Sequence, residues 1–204
     1  MKLYFASEAS ALAPHIILIE QNIPYELIRV NYASMHTSEG GDFREINPNG
    51  YVPALTLDDG KILTEGPAII QYLADLKPET KLAPPQGSWE RVELWEILNF
   101  MSNELHALCA PLFMAEIPDE VKEIITEKLE WRLGNLANRM KGRSYVMGEH
   151  FTIVDAYLFP ILSWMPRFSV DLEQWPELAN WMDVVSERPS VQRAHQEEID
   201  VPAV

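Results

Sequence analysis

The rhythm of hydrophobic and polar positions changes once along the chain, near residue 80. Before that point short apolar runs alternate with turns. After it apolar residues recur every three or four positions, as the buried face of a helix requires. Lys2-Leu3-Tyr4-Phe5 reads as a first strand, and residues 6–9 as a loop. A helix is expected from Ala11 to Glu20, with Ser10 as its N-cap and Pro14 inside the first turn. Ile16, Ile17 and Leu18 make it apolar enough to lie on a sheet. Leu27-Ile28-Arg29-Val30 reads as a second strand. Residues 32–46 are polar without strong periodicity, with room for one helical turn at Asp42–Ile46.

The stretch from Asn47 to Leu73 is the most legible. Asn47-Pro48-Asn49-Gly50 is a turn, because Pro fixes φ and Asn and Gly tolerate positive φ. Ala54-Leu55-Thr56-Leu57 is a short strand, Asp58-Asp59-Gly60 a tight hairpin, and Lys61-Ile62-Leu63 the returning strand. Thr64-Glu65-Gly66-Pro67 opens a helix whose apolar face is read as Ala68, Ile69, Tyr72 and Leu73. Val52-Pro53 directly precedes the strand. It is a candidate cis peptide, but an ordinary trans proline at a strand start is the commoner arrangement and the expected one. Gly66 leaves helix N–H groups free for a carboxylate, and Glu65 beside it can receive an ammonium group. A plain helix cap would have the same sequence.

Residues 78–87 hold prolines and no aromatic residue, and read as a linker between a domain at 1–77 and a helical domain at 88–204. Ser88 is expected to cap a long helix reaching about Cys109. Trp89, Val92, Trp95, Leu98, Met101, Leu105 and Leu108 are read as its buried face, and Pro111 as its end or kink. Pro118 starts the next helix, through Val121, Ile125, Leu129, Leu133 and Leu136, and Gly142 closes it. Thr152 to Asp155 is a capping box ahead of Ala156-Tyr157-Leu158-Phe159, read as structural. Pro160 and Pro166 are expected to distort or end that helix. Two more helices follow near 176–187 and 190–198.

Composition narrows the function classes. The chain has 204 residues, 47% hydrophobic and 10% aromatic, enough for one large or two small globular domains. A net charge of −15 argues against nucleic acid and anionic membrane as partners, since both would repel this surface. No apolar stretch is long enough to span a bilayer and no leader opens the chain, so the cytoplasm is the expected location. One cysteine, Cys109, excludes an internal disulfide, and the five histidines show no metal-ligand spacing.

One feature of the long helix bears on chemistry. Asn99, Asn103 and His106 lie at relative positions zero, four and seven. At about 100° per residue they fall within roughly 60° of one another. Such an uncharged polar stripe faces either solvent or a cleft.

The run VPALTLDDGKILTEGPAIIQYL resembles the glutathione-binding half of cytosolic glutathione transferases: valine-proline, strand, hairpin, strand, then an acidic residue at a helix start. The opening MKLYFASEASALAPHIILIE and the later FTIVDAYLFPIL are similar to the bacterial Beta class. The resemblance covers nearly the whole chain. It implies an α/β thioredoxin-like N-terminal domain followed by an all-α domain, a homodimer, glutathione as co-substrate and no metal. The implied reaction is attack of the glutathione thiolate on a small hydrophobic electrophile.

The resemblance also assigns residues. Val52 and Pro53 would pair with the peptide through the Val52 backbone. Glu65 and Gly66 would hold its γ-glutamyl end. Asn99 and the run Asn103, Glu104, Leu105 and His106 would lie over the tripeptide. Phe113, Trp164, Arg167 and Phe168 are candidates for the electrophile pocket, although aromatic residues at such spacing also build cores. Two positions depart from the class. Ser10 stands where a cysteine is usual, and Met35 where a lysine would grip the glycyl carboxylate. A serine cannot form a mixed disulfide, but its hydroxyl can donate to a thiolate. Favouring the thiolate about a hundredfold takes roughly 2.7 kcal/mol, which one charged hydrogen bond of about 1.5–3 kcal/mol helped by a helix N-terminus can supply. Ser7 is a second candidate on the same loop. His106, with an ordinary pKa of about 6.5, either bonds the sulfur or is satisfied structurally. Met35 predicts weaker glutathione binding or a different thiol ligand, and Cys109 is expected to be buried and inert. Two alternatives stay open: a non-catalytic binding or scaffold relative, and a disulfide reductase, which Ser10 disfavours because that chemistry needs a thiol.

Overall fold

A computed structural model describes residues 1–203, which divide into two compact units. One comprises Met1–Leu82 together with the chain from Glu187, and the other Ala83–Ser186.

In the first unit, β1 (Lys2–Phe5), α1 (Leu12–Glu20), β2 (Glu26–Arg29), β3 (Ala54–Thr56), β4 (Ile62–Thr64) and α2 (Gly66–Leu76) follow one another. The four strands form one sheet in the order β2-β1-β3-β4. β1 and β2 run parallel across α1, while β3 is antiparallel to β1 and to β4. Leu3 stands at the centre of the register, opposite Leu27 on one side and Leu55 on the other. This is the thioredoxin-like layout. α1 is buried from Leu12 through Leu18, all round rather than along one stripe. α2 buries Ile69, Ile70, Leu73 and Ala74. Ala68 is exposed and Tyr72 only half-buried, so the inward face is turned by one position from the one read in the sequence.

In the second unit the chain is helical: α3 (Trp89–Phe100), a π-helical turn (Met101–His106), α4 (Ala107–Leu112), α5 (Asp119–Met140), α6 (Ile153–Ser163) and α7 (Pro176–Ser186). The Ser88 hydroxyl accepts from the Arg91 amide at 3.1 Å and caps α3 as expected. The expected single helix is a run from Trp89 to Leu112, widened in its middle by the π turn. Its buried residues are Arg91, Leu94, Ile97, Leu98, Met101, Leu105 and Cys109. Trp89 is 70% exposed, and Val92 and Trp95 are exposed too, which corrects the first half of the predicted stripe. A three-to-four rhythm there suits two faces, and the aliphatic one turned inward.

α6 is the centre of this unit, buried from Ile153 through Leu162. Pro160 lies inside it without ending it, and Pro166 falls in the 3-10 turn Met165–Phe168. The capping box is formed. Asp155 accepts from the amide of Thr152 at 2.9 Å and from its hydroxyl at 3.0 Å. It accepts further from the Val146 amide at 2.9 Å and the Trp181 indole N–H at 3.0 Å.

The last helix, α8 (Pro189–Asp200), belongs to the first unit rather than to the helical one. Its tie is polar as well as apolar. His15 in α1 is fully buried with Glu197 at 3.0 Å and Glu198 at 3.4 Å, and Arg188 reaches Glu20 at 2.7 Å. Such long-range pairing leaves no trace in local periodicity.

Candidate functional site

Around α1 and α2, several backbone groups are left outside the regular pairing of the sheet. Glu65 is the N-cap of α2 but adopts φ 68°, a region that glycine favours and that costs a glutamate about 1–3 kcal/mol. Its carbonyl accepts from the amides of Ala68 at 2.9 Å and Ile69 at 3.0 Å. Its carboxylate is exposed and makes no capping bond. Among the described residues no hydrogen bond or ion pair engages it. Gly66 follows, buried, as the first helical residue, and Pro67 has no N–H to offer. An unpaired carboxylate beside a helix N-terminus thus offers opposite partners to the two ends of an amino-acid group.

Val52 lies just ahead of β3, beyond the last register pair, Tyr4 with Ala54. The Val52–Pro53 peptide is cis, which corrects the expected trans arrangement. The Val52 amide donates to the Tyr32 hydroxyl at 3.4 Å.

Ser10 is buried, but it is not the helix cap. Ala11 holds that position, in helical geometry and without a side-chain bond. A helical turn already begins at Ala9 and Ser10, whose carbonyls accept from Leu12 and Ala13, so a hydroxyl cap has no place. Among the described residues the Ser10 hydroxyl has no hydrogen-bond partner. Ser7 is different, because the Arg29 guanidinium donates to its hydroxyl. Met35 has φ 58°, and its sulfur lies 3.8 Å from where a Cβ on Gly50 would sit. It therefore packs on the turn and carries no charge. His36 bonds the Ser34 carbonyl at 3.0 Å, and Arg44 is paired with Asp42 at 2.7 Å.

In the helical unit the π turn decides where the polar residues go. An i→i+5 turn advances less per residue than an α-turn, so the 60° estimate for Asn99, Asn103 and His106 does not carry through it. The amides of both asparagines donate to carbonyls four residues back, Asn99 to Trp95 at 2.8 Å and Asn103 to Asn99 at 3.0 Å. His106 turns instead to α6, where Nδ1 lies 2.8 Å from the Tyr157 hydroxyl. Burial holds its pKa below the ordinary histidine value, so the imidazole is neutral at neutral pH. Two residues expected in this cluster are absent from it. Leu105 is in the core, and Glu104 is held by Arg132 at 2.5 Å. They sit on the inward and α5-facing sides of the same turn, which the sequence run could not show.

The four residues expected at an electrophile pocket are brought together. The His106 ring lies 5.2 Å from Trp164, Trp164 5.3 Å from Phe113, and Phe113 4.9 Å from Phe168, with the Arg167 guanidinium 5.0 Å over the Phe113 ring. Tyr157 joins them through His106 and was missed, because a tyrosine in an apolar capped helix reads as core. Cys109 is fully buried, and burial pushes its thiol up to about 12, so no thiolate is available there at neutral pH. Among the described residues no cluster of His, Cys, Asp or Glu could hold a metal, and no helix is long and apolar enough to cross a membrane.

Comparison with known proteins agrees with both halves. The family model for the glutathione S-transferase N-terminal domain matches residues 10–76, and that for the C-terminal domain matches residues 100–189. Glutathione S-transferase GstA of Escherichia coli O157:H7 is 40% identical over 95% of this chain and 96% of its own length. A sphingomonad glutathione S-transferase solved with glutathione has a TM-score of 0.95 and 38% identity, covering 98% of this chain and all of that one. The Beta-class transferase of Sphingomonas chungbukensis has a TM-score of 0.93 at 38% identity, over 97% of this chain and 98% of that one. The chain belongs to the glutathione S-transferase family, in its bacterial Beta class.

Proposed function

We propose that this enzyme activates glutathione with a serine rather than a cysteine and joins its sulfur to a small hydrophobic electrophile. The observation that carries the reading is the unpaired Glu65 carboxylate, held at positive φ beside the N-terminus of α2. It receives the ammonium of the γ-glutamyl group, while the free Gly66 amide meets the carboxylate. The Val52 backbone pairs with the peptide as an added strand would. The Ser10 hydroxyl, which has no partner of its own, donates to the thiolate. The thiol proton leaves to solvent, and the sulfur forms its bond to the electrophilic carbon as the leaving group departs.

From the helical unit we assign His106, Phe113, Trp164, Arg167 and Phe168 to the electrophile, and Asn99 and Asn103 to the tripeptide as the family resemblance implies. A neutral His106 can donate or accept a hydrogen bond without adding charge. Cys109 offers nothing to disulfide chemistry, which leaves the transferase reading ahead of the reductase. A homodimer in the cytoplasm is part of the same proposal. The exposed Trp89, Val92 and Trp95 along α3 support an apolar interface, and sedimentation of the purified chain tests it.

The deciding experiment is a calorimetric titration of glutathione in two buffers of different ionisation heat. Binding with release of a proton near neutral pH is expected, and Ser10→Ala abolishes the release. Binding without proton release would leave a carrier. No binding at millimolar glutathione would end the transferase reading.

A further inference from the structure

Among the described residues, Tyr32 is the one that bonds the Val52 amide, and nothing so far gives it a part in the reaction. The amide lies beyond the last pair of the β1–β3 register, so no strand takes it up. An unpaired amide at the end of a strand is a docking point for the carbonyl of an extended peptide. The Tyr32 hydroxyl occupies that point at 3.4 Å, long for an N–H···O bond and therefore weak.

The loop around Tyr32 is held without its ring. Asn31 Oδ1 accepts from the amides of Ala33 at 2.9 Å and Ser34 at 3.1 Å. The Met35 amide donates to the Asn31 carbonyl at 2.7 Å, and the Met35 carbonyl accepts from Phe43 at 2.7 Å. Phe43 is fully buried and anchors the far end. Tyr32 itself is 46% exposed, so its side chain can swing into solvent while the backbone stays in place. Desolvation of the phenol holds its pKa above the ordinary tyrosine value, which keeps it a neutral acceptor.

We propose that Tyr32 is a displaceable stand-in for the ligand: its hydroxyl holds the Val52 amide in the free protein and leaves when the peptide carbonyl of glutathione pairs there. The inference rests on the glutathione reading above. Tyr32 is a positioning residue that opposes binding. Its effect falls on the rate of association, because the hydroxyl must give up the Val52 amide before the ligand pairs.

The test compares glutathione binding to the wild type and to Tyr32→Phe, by calorimetry for affinity and stopped-flow fluorescence for rates. The variant keeps the ring and loses only the bond. Affinity is expected to rise about two- to threefold, the low end for a single neutral hydrogen bond, with the gain in the association rate. A purely structural role would not raise that rate. Equal or weaker affinity in the variant, with the wild type binding, overturns this inference alone and leaves the transferase reading standing. Absence of binding to both proteins overturns the two together.

Discussion

Two acidic residues stand at two helix N-termini, and they are used in opposite ways. Asp155 at the start of α6 is fully buried, and donors from Val146, Thr152 and Trp181 engage both of its oxygens. Glu65 at the start of α2 is exposed, sits at φ 68°, and among the described residues gives its carboxylate to nothing. The first carboxylate is consumed by the fold of the helical unit. The second is held ready in the thioredoxin-like unit at a conformational cost. A buried acid with every lone pair engaged cannot be released for a ligand without losing stability. An unpaired one at a strained position contributes nothing to stability that a ligand would have to break.

Substitutions can break this contrast, and the largest effect is expected at Asp155. Asp155→Ala strands several buried donors, and it should cost about 3 kcal/mol or more in urea denaturation. A loss under about 1 kcal/mol would mean that the capping network is incidental. Glu65→Gln removes the charge proposed to face the ligand and keeps the shape. Glutathione affinity should fall about tenfold or more while the denaturation midpoint stays put, and a shifted midpoint would show Glu65 to be structural after all.

Met35→Lys sharpens the comparison from the binding side. It places a cation where the neighbouring one, Arg44, is already taken by Asp42. Glutathione should bind about fivefold tighter, the scale of one exposed ion pair. Unchanged affinity would show that the carboxylate end of the ligand never meets this position.

The smallest effect is a pH dependence. Burial lowers the pKa of His106 in the folded chain, so between that value and the unfolded value of about 6.5 the unfolded state binds more protons. Stability from keeping His106 neutral is therefore full above about pH 6.5 and declines as pH falls below it. Thermal melts at pH 7.5 and 5.5 should show a steeper loss for the wild type than for His106→Gln. Parallel losses would assign the acid sensitivity elsewhere.

Much of the fold was legible. The strand-hairpin-strand-helix run from Ala54 to Leu76 is written in turn residues and apolar alternation, and the capping box at Thr152 and Asp155 in a four-residue pattern. Candidate site residues were legible where a local oddity marked them, as at Glu65-Gly66 and Val52-Pro53. They were misplaced where geometry depends on distant packing. Ser10 looked like a cap because serine usually is one, but the Leu12 and Ala13 amides that its hydroxyl would cap already donate to the Ala9 and Ser10 carbonyls. Trp89 and Trp95 looked buried because periodicity does not say which of two apolar faces turns inward.

By itself, the sequence determined the element order, the break near residue 80 and the residue types available for chemistry, because these depend on local backbone preference and on the period of side chains along one element. Only the tertiary structure decided four further points: the π turn that parts His106 from the asparagine bonds, the Tyr157 and Tyr32 hydroxyls that meet His106 and Val52, the cis bond at Pro53, and the docking of α8 on α1. Each of these sets groups many residues apart against one another, or selects between two local states of similar energy, and such choices are made by packing rather than by the chain's nearest neighbours.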